Sequence, residues 1–300
     1  MKKIFVLGLV ASMFLFGCGS DDDGKTTPGG DNGSGQQGLV VEQTQRSVLW
    51  YYTATWCPPC GSTGSPLFKQ MTEANGSDEL IAIDIHSSNS SGLVPGYIDP
   101  ADGQPKVAVA MAGQLVQQIR PNGYIPQFTL NNEFQGNSSV NTGNVKSALE
   151  SYNSNDPLAG VAAEASVDGN TITVKTKTKF FKDGADDYYI SVLLLEKDIV
   201  APQNVSGNMV NDFAHKQVLR ASLIDGEMYT QKGISVNPII SNVTANTEVE
   251  GEYSLNWEKA QLPDGFATWE FDKNNTSAVV IVWKKNGQTY DTVNAIEVGF

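Results

Sequence analysis

A pair of cysteines, Cys57 and Cys60, lies between a strand-like and a helix-like segment and constrains the fold more than any other feature. Residues 48–52 (VLWYY) form a continuous apolar run, which is typical of a strand buried on both faces. After the cysteines, apolar residues recur at helical spacing: Leu67, Phe68, Met71 and Ala74. The sequence therefore predicts a strand, a Cys-x-x-Cys turn and a helix that begins near Cys57.

Strand-like and helix-like segments continue to alternate after this first helix. Residues 79–86 are predicted to form a second buried strand, and residues 124–131 a third. Residues 105–120 carry an apolar stripe at helical spacing. Residues 144–153 are predicted to form a closing helix with Asn144 as its cap.

The motif TWCPPC and this order of elements resemble the thioredoxin fold over residues 39–155. The resemblance implies an α/β thioredoxin-like domain in which Cys57 is the catalytic nucleophile and Cys60 resolves the mixed disulfide. A helix start favours a thiolate through its dipole and its unpaired N–H groups. The second sulfur, three residues on, lies one helical turn away and is placed to attack the first.

The same resemblance names the residues that surround the catalytic cysteines and contact substrate. These active-site neighbours are Trp56, Pro58, Pro59, Ile125 and Pro126. It also implies a cis peptide bond between Ile125 and Pro126, although most X–Pro bonds are trans.

A structural disulfide is the alternative to a redox couple. Closing a four-residue loop contributes only ~2 kcal/mol to the free energy of unfolding, so a disulfide at this spacing is a weak structural cross-link. A departure from thioredoxins counts against the redox hypothesis, because Tyr51 occupies the position of their buried acid. Zinc is disfavoured, since the chain has two histidines and no second Cys-x-x-Cys. We therefore expect no metal site and no cofactor.

The pattern changes after residue 156, where alternating apolar and polar residues replace the mixed helix and strand signals. Asp168–Gly169 and Asn286–Gly287 are strong hairpin signals. Short strands with such turns predict an all-β immunoglobulin- or fibronectin-III-like sandwich over residues 156–300.

Three further side chains are candidates for a functional role. His86 ends the second predicted strand, where it would tune Cys57 or only cap a turn. His215 and Arg220 would form a binding site or serve as ordinary structural residues.

The segment that contains His215 and Arg220, residues 211–227, together with TATWCPPCG and AIDIHSS, resembles the outer-membrane-protein-28-related family of lipoproteins. That resemblance implies an outer-membrane lipoprotein with a thioredoxin-like domain and an appended β-sandwich.

The N-terminus resembles the export signal of a bacterial lipoprotein. A basic start and an apolar run predict a signal peptide over residues 1–18, and LFGC resembles a lipobox that ends at the lipidated Cys18. Residues 19–38 contain no large apolar side chain and predict a flexible acidic and glycine-rich tether. The triple aspartate after Cys18 is either a surface-export signal or a solvated part of this tether.

Two functional hypotheses follow. The first is a membrane-tethered thiol–disulfide oxidoreductase-like lipoprotein that exchanges with protein thiols through Cys57 and Cys60. The second is a non-catalytic binding or adhesion lipoprotein of the cell envelope, built on a thioredoxin-like scaffold. Both place the protein at the outer membrane, facing the periplasm or the cell surface. A net charge of −13 argues against a general nucleic-acid binder, and the oligomeric state stays open.

Overall fold

The strand before the cysteine pair, β1 (Ser47–Thr53), lies in the interior of the main sheet of the protein, which we describe from a computed structural model. The structure describes residues 38–86, 115–116, 124–224, 232–257 and 271–300. Every residue of β1 is buried, as its uninterrupted apolar sequence predicts. It pairs in parallel with β2 (Leu80–His86) and antiparallel with β3 (Gln127–Leu130).

A helical run begins directly after Cys57. Pro58 and Pro59 are helical, the next turn (Cys60–Gly64) is π-helical, and α1 (Ser65–Ala74) continues the run. Proline suits the first helical position, because its missing N–H would have no intrahelical partner there. The predicted sequence of strand, Cys-x-x-Cys and helix is confirmed at this point.

The closing helix, α2 (Thr142–Asn153), has a different N-cap from the one that the sequence predicts. The side-chain oxygen of Asn141 accepts hydrogen bonds from the N–H groups of Gly143 at 3.0 Å and Asn144 at 3.2 Å. Asn141 is therefore the cap, and the prediction of Asn144 is wrong, because Asn144 already lies in the first turn.

Part of the predicted organisation falls on residues that the structure does not describe. The predicted helix over residues 105–120 lies outside the described residues, apart from Leu115 and Val116, which are helical and buried. The predicted signal peptide, Cys18 and nearly all of the tether also lie outside them. None of the described helices has the length and apolarity that a membrane crossing requires.

Strands make up most of the remaining described chain. In chain order they are β4 (Glu133–Gly136), β5 (Ala159–Asp168), β6 (Thr171–Phe180), β7 (Gly184–Val205), β8 (Asn208–Ser222), β9 (Ile240–Val243), β10 (Glu248–Asn256), β11 (Thr276–Asn286) and β12 (Thr289–Gly299). The main sheet has the order β12–β11–β7–β8–β2–β1–β3–β4, with β9 beside β7. A second, antiparallel sheet has the order β10–β6–β5.

The prediction of an α/β thioredoxin-like domain followed by an immunoglobulin- or fibronectin-III-like sandwich is wrong. Strand accounts for 55% and helix for 15% of the described residues, in one mixed and one antiparallel sheet. The parallel pairing of β2 with β8, at Asp84 and Val218, joins strands that the sequence assigned to two separate folds. A strand pattern shows that a segment forms a strand and which face it buries, but not which strand lies beside it.

Core packing also crosses the predicted boundary between residues 155 and 156. The indole rings of Trp50 on β1 and Trp283 on β11 stack with their centroids 6.0 Å apart. The indole nitrogen of Trp283 donates to the hydroxyl of Ser191 at 2.7 Å. Residues Gly38–Phe300 form one compact unit. The division into domains over residues 39–155 and 156–300 stays a prediction.

The predicted hairpin turns are confirmed. Gly169 joins β5 to β6 with a φ of +55°, and Gly287 joins β11 to β12 with a φ of +64°. A two-residue hairpin turn requires positive φ, which glycine adopts without steric cost. The sequence therefore fixes these two turns locally.

Candidate functional site

Cys57 and Cys60 form a disulfide whose Cα atoms are 5.2 Å apart. Both residues are buried, with 3% of Cys57 and none of Cys60 exposed. Cys57 directly precedes the helical run, and its sulfur accepts a hydrogen bond from the backbone N–H of Cys60 at 3.3 Å. A sulfur that receives a backbone N–H at a helix start is stabilised as a thiolate once the disulfide is reduced.

The predicted neighbours differ in their contact with the disulfide and in their exposure. Trp56 and Ile125 pack against the cysteines, while Pro58 and Pro59 are exposed. The peptide bond between Ile125 and Pro126 is cis, as the resemblance implies. The structure thus brings a residue from the loop before β3 to the cysteine pair.

Tyr51 lies beneath the cysteine turn. Its hydroxyl donates to the carbonyl oxygen of Cys60 at 3.1 Å. Burial, aided by the charge of Asp84, raises the pKa of Tyr51 far above its usual range, so the phenol stays protonated at neutral pH. It cannot accept the proton of a neighbouring thiol. The buried carboxyl of Asp84 lies on β2 directly across from Tyr51 in the parallel register.

The end of the β7–β8 hairpin covers the cysteine turn. We call residues 203–207 the hairpin tip. Its two turn residues, Ser206 and Gly207, have φ values of +54° and +91°, as a two-residue hairpin turn requires. The tip places a strand end over the loop between β1 and the helical run.

Hydrogen bonds fix the hairpin tip to that loop. The buried side-chain amide of Gln203 donates to the carbonyl oxygens of Ala54 and Cys57, each at 3.2 Å. The backbone N–H of Asn204 donates to the carbonyl oxygen of Thr55 at 2.7 Å. These bonds pair the main-chain carbonyl oxygens of Ala54, Thr55 and Cys57 with groups of the hairpin tip.

Gly61 lets the hairpin tip approach this closely. A Cβ atom there would lie 2.8 Å from Cγ of Gln203 and 2.9 Å from Cγ2 of Val205, and closer still to the carbonyl oxygen of Asn204. Ordinary contacts between carbon atoms are about 3.5–4.0 Å. Only glycine therefore fits under the hairpin tip at this position.

A second buried cluster joins the two histidines of the chain to Asp84. His86 follows Asp84 by two residues on β2, so their side chains share a face, and His215 comes from β8. Donor atoms of the three side chains all lie within 4.8 Å of one another, and each residue is 2% exposed. Among the described residues, no other group of this kind contains a histidine.

Hydrogen bonds orient this His–Asp cluster. Nε2 of His86 and Oδ2 of Asp84 are 3.2 Å apart. Nε2 of His215 donates to the carbonyl oxygen of Ala201 at 3.3 Å. The two imidazole rings meet edge to face with their centroids 4.9 Å apart.

Burial sets the charge state of the cluster. It lowers the pKa of His86 to about 3, with a smaller contribution from the positive charge of Arg220. It lowers the pKa of His215 to about 4, helped by the proximity of His86. It raises the pKa of the Asp84 carboxyl, against the opposing effect of His215. Both imidazoles are therefore neutral at physiological pH.

A cavity of about 410 Å³ reaches this cluster between α1 and β8. Asp84 and His215 line it together with the apolar side chains of Phe68 and Phe213. A larger cavity of about 540 Å³ nearby has mainly polar and charged walls and contains neither a cysteine nor a histidine. Of the two, the smaller cavity is the one that reaches the His–Asp cluster.

Sequence patterns located the cysteine pair but not the His–Asp cluster. Arg220 is not among the three clustered donors, and its Nε lies 3.3 Å from a carboxylate oxygen of Glu196. The sequence signal that could have located the cluster is the position of two of its members on β2. His86 and Asp84 are polar residues two apart in a strand that is buried on both faces.

The fold and the site define a β-rich protein in which a helix-start disulfide adjoins a mixed sheet. No family model matches the sequence, and no curated protein matches it. The similarity to the outer-membrane-protein-28-related family therefore rests on short sequence motifs.

Among solved structures, the chain is similar to HBP35 of Porphyromonas gingivalis. The identity is 14% and the TM-score 0.60, and the match covers 86% of this chain and 76% of that chain. It also matches CsgH of R. palustris with 11% identity and a TM-score of 0.20, over 47% of this chain and 91% of that chain. A DUF3823 family protein from Bacteroides ovatus is 14% identical with a TM-score of 0.23, over 48% and 56% of the two chains. The likeness to HBP35 concerns the fold.

Proposed function

We propose that the protein is a lipid-tethered thiol–disulfide exchange protein of the bacterial cell envelope whose redox site is closed by its own hairpin tip. The observation that carries this proposal is the bond from the backbone N–H of Cys60 to the sulfur of Cys57 at the helix start. Stabilising a thiolate does not help a purely structural disulfide. It does favour a thiolate that attacks or leaves during disulfide exchange.

The exchange transfers two electrons and two protons from a partner protein that carries two thiols. One partner thiolate attacks Sγ of Cys57, the disulfide opens, and Cys60 leaves as a thiolate that takes up a proton. The second partner thiolate then attacks the mixed disulfide and releases Cys57, which is protonated in turn. The partner ends with a disulfide and this protein with two thiols.

Thiol titration of the reduced full chain tests this function. Alkylation across pH, followed by peptide mass analysis, should show Cys57 reacting well below the free-cysteine pKa of ~8.5, with Cys60 reacting more slowly. A Cys60→Ser variant should retain partner proteins as mixed disulfides, and a Cys57→Ser variant should retain fewer. If both cysteines titrate like free thiols and neither variant retains a partner, the exchange function is wrong.

The hairpin tip favours a second candidate, a non-catalytic binding lipoprotein of the envelope. It is hydrogen-bonded to three main-chain carbonyl oxygens of the cysteine turn, and both cysteines are buried, so the disulfide is closed to protein-sized partners in this arrangement. For this candidate the disulfide is structural and the working surface lies elsewhere. A variant that lacks both cysteines tests this candidate. Lower thermal stability in that variant, with the same exchange activity as the unmodified protein, would support it.

A further inference from the structure

The two histidines of the chain come from distant sequence positions and meet in one buried cluster with a carboxyl group. Two atoms of this His–Asp cluster, Oδ1 of Asp84 and Nδ1 of His86, are buried and have no hydrogen-bond partner among the described residues. Leaving a buried polar atom without a partner costs about 1–3 kcal/mol. The cluster therefore combines unpartnered buried atoms with three donor atoms within 4.8 Å of one another, which suits an occupant that accepts lone pairs.

We propose that Asp84, His86 and His215 bind a divalent transition-metal ion. Two imidazoles and one carboxylate form a donor set that suits zinc or iron(II), and three protein ligands are typical of sites that keep a coordination position open. This site goes beyond the proposed exchange function, because the disulfide takes no part in it.

The three donor atoms lie only slightly farther apart than the ligands of a bound metal ion. With bonds of 2.0–2.1 Å, the ligands of a tetrahedral zinc ion lie about 3.4 Å apart. The donor atoms now lie within 4.8 Å of one another, so zinc binding requires any two of them to approach by at most about 1.4 Å. The bond from Nε2 of His215 to the carbonyl of Ala201 fixes that ring, as such bonds commonly do for metal-binding histidines.

The open coordination position has a route to solvent. Asp84 and His215 both line the cavity of about 410 Å³ between α1 and β8. An ion can enter through it, and a water molecule or a small anionic ligand can occupy the remaining position. The apolar walls at Phe68 and Phe213 would exclude bulk water from that position.

The charges around the cluster decide between a metal site and a plain structural Asp–His pair. Arg220 brings a positive charge near His86, which opposes a cation. That charge is paired with Glu196 at 3.3 Å, on side chains that are 9% and 19% exposed. A buried carboxylate is stable only when it is paired or bound to a metal. A divalent ion held by the three donor atoms would be such a partner for Asp84.

Zinc titration of the full chain, with its disulfide intact so that no thiol competes, tests the proposal. Selective ¹⁵N labelling of histidine gives signals from two imidazoles alone, and both belong to the cluster. Both should shift and saturate at one equivalent of zinc. Zinc binding that leaves both imidazole signals in place, or no binding at all, would overturn the proposal.

Two variants assign the ligands. Asp84→Asn and His215→Gln should each weaken zinc binding by more than about 100-fold, beyond the ~10–100-fold lost with the hydrogen-bond partner of a ligand. Asp168→Asn, a matched change in the exposed turn between β5 and β6, should leave the affinity unchanged. Unchanged affinity in both cluster variants would overturn the assignment. If either variant fails to fold, the histidine spectrum of the unmodified chain still decides.

Discussion

Adding one methyl group at Gly61 should open the covered disulfide. The Cβ atom of a Gly61→Ala variant would lie less than 3 Å from three atoms of the hairpin tip. One of them is the carbonyl oxygen of Asn204, which belongs to the backbone and cannot rotate away like a side chain. The overlap is relieved when the hairpin tip and the helix start move apart.

The magnitude follows from the size of this overlap. Forcing an extra methyl group into a well-packed contact costs about 1–3 kcal/mol. If that cost falls on the closed state alone, the equilibrium between closed and open hairpin tip shifts by about 5–150-fold. Alanine is a better helix former than glycine by roughly 0.5–1 kcal/mol, so the helical run at Gly61 is not itself weakened.

The assay is the rate of disulfide reduction by dithiothreitol under pseudo-first-order conditions, followed by alkylation and mass analysis. When opening is fast and precedes reduction, the rate rises with the open fraction, so we expect a rise of about 5–150-fold. Gly299→Ala is the matched control, because nothing lies within 4 Å of a Cβ atom there. A Gly61→Ala rate within twofold of the unmodified protein, or equal to that of the control, would refute the idea that the hairpin tip shields the disulfide.

Three further predictions concern the helix cap, the core and the anchor. Asn141→Ala should lower the free energy of unfolding in urea by about 1 kcal/mol, while Asn144→Ala should change it much less, and equal effects would contradict the observed cap. A double-mutant cycle of Trp50→Ala and Trp283→Ala should give a coupling of about 0.5–1.5 kcal/mol, and strict additivity would show that the stack contributes nothing. Cys18→Ala should release the protein from the membrane fraction, and a variant that stays there after a high-salt wash would contradict the lipobox.

Local features of the fold could be predicted from the sequence, because each depends on adjacent residues. The apolar run of β1, the helix after Cys57 and the turns at Gly169 and Gly287 all lie where short patterns place them. The predicted cap of α2 lies three residues after the observed one. Asn141 and Asn144 offer the same side chain, and only the backbone decides between them.

Long-range features could not be predicted in this way. The parallel contact of β2 with β8 joins Asp84 to Val218, and no periodicity records such a partner. The hairpin tip reaches the cysteine turn through Gln203, whose polar side chain looks like that of any exposed turn in the sequence. The His–Asp cluster depends on the same pairing, since His215 comes from β8.

The interior position of β1 has a mechanical consequence for a protein held by its N-terminus. Residues 44–46, directly before β1, are hydrogen-bonded to Val293 and Asn294 of β12. β1 itself pairs with a strand on each side, with β2 over seven residues and with β3 over four. A pull along this strand loads both ladders in shear, so many bonds must break together rather than one after another as in an edge strand that peels away. The cysteine turn lies beyond the far end of β1, at Thr53, and is reached by tension only after the whole strand has slipped. If the chain is anchored by the proposed lipid at Cys18, tension on the anchor does not reach the disulfide while β1 stays in place.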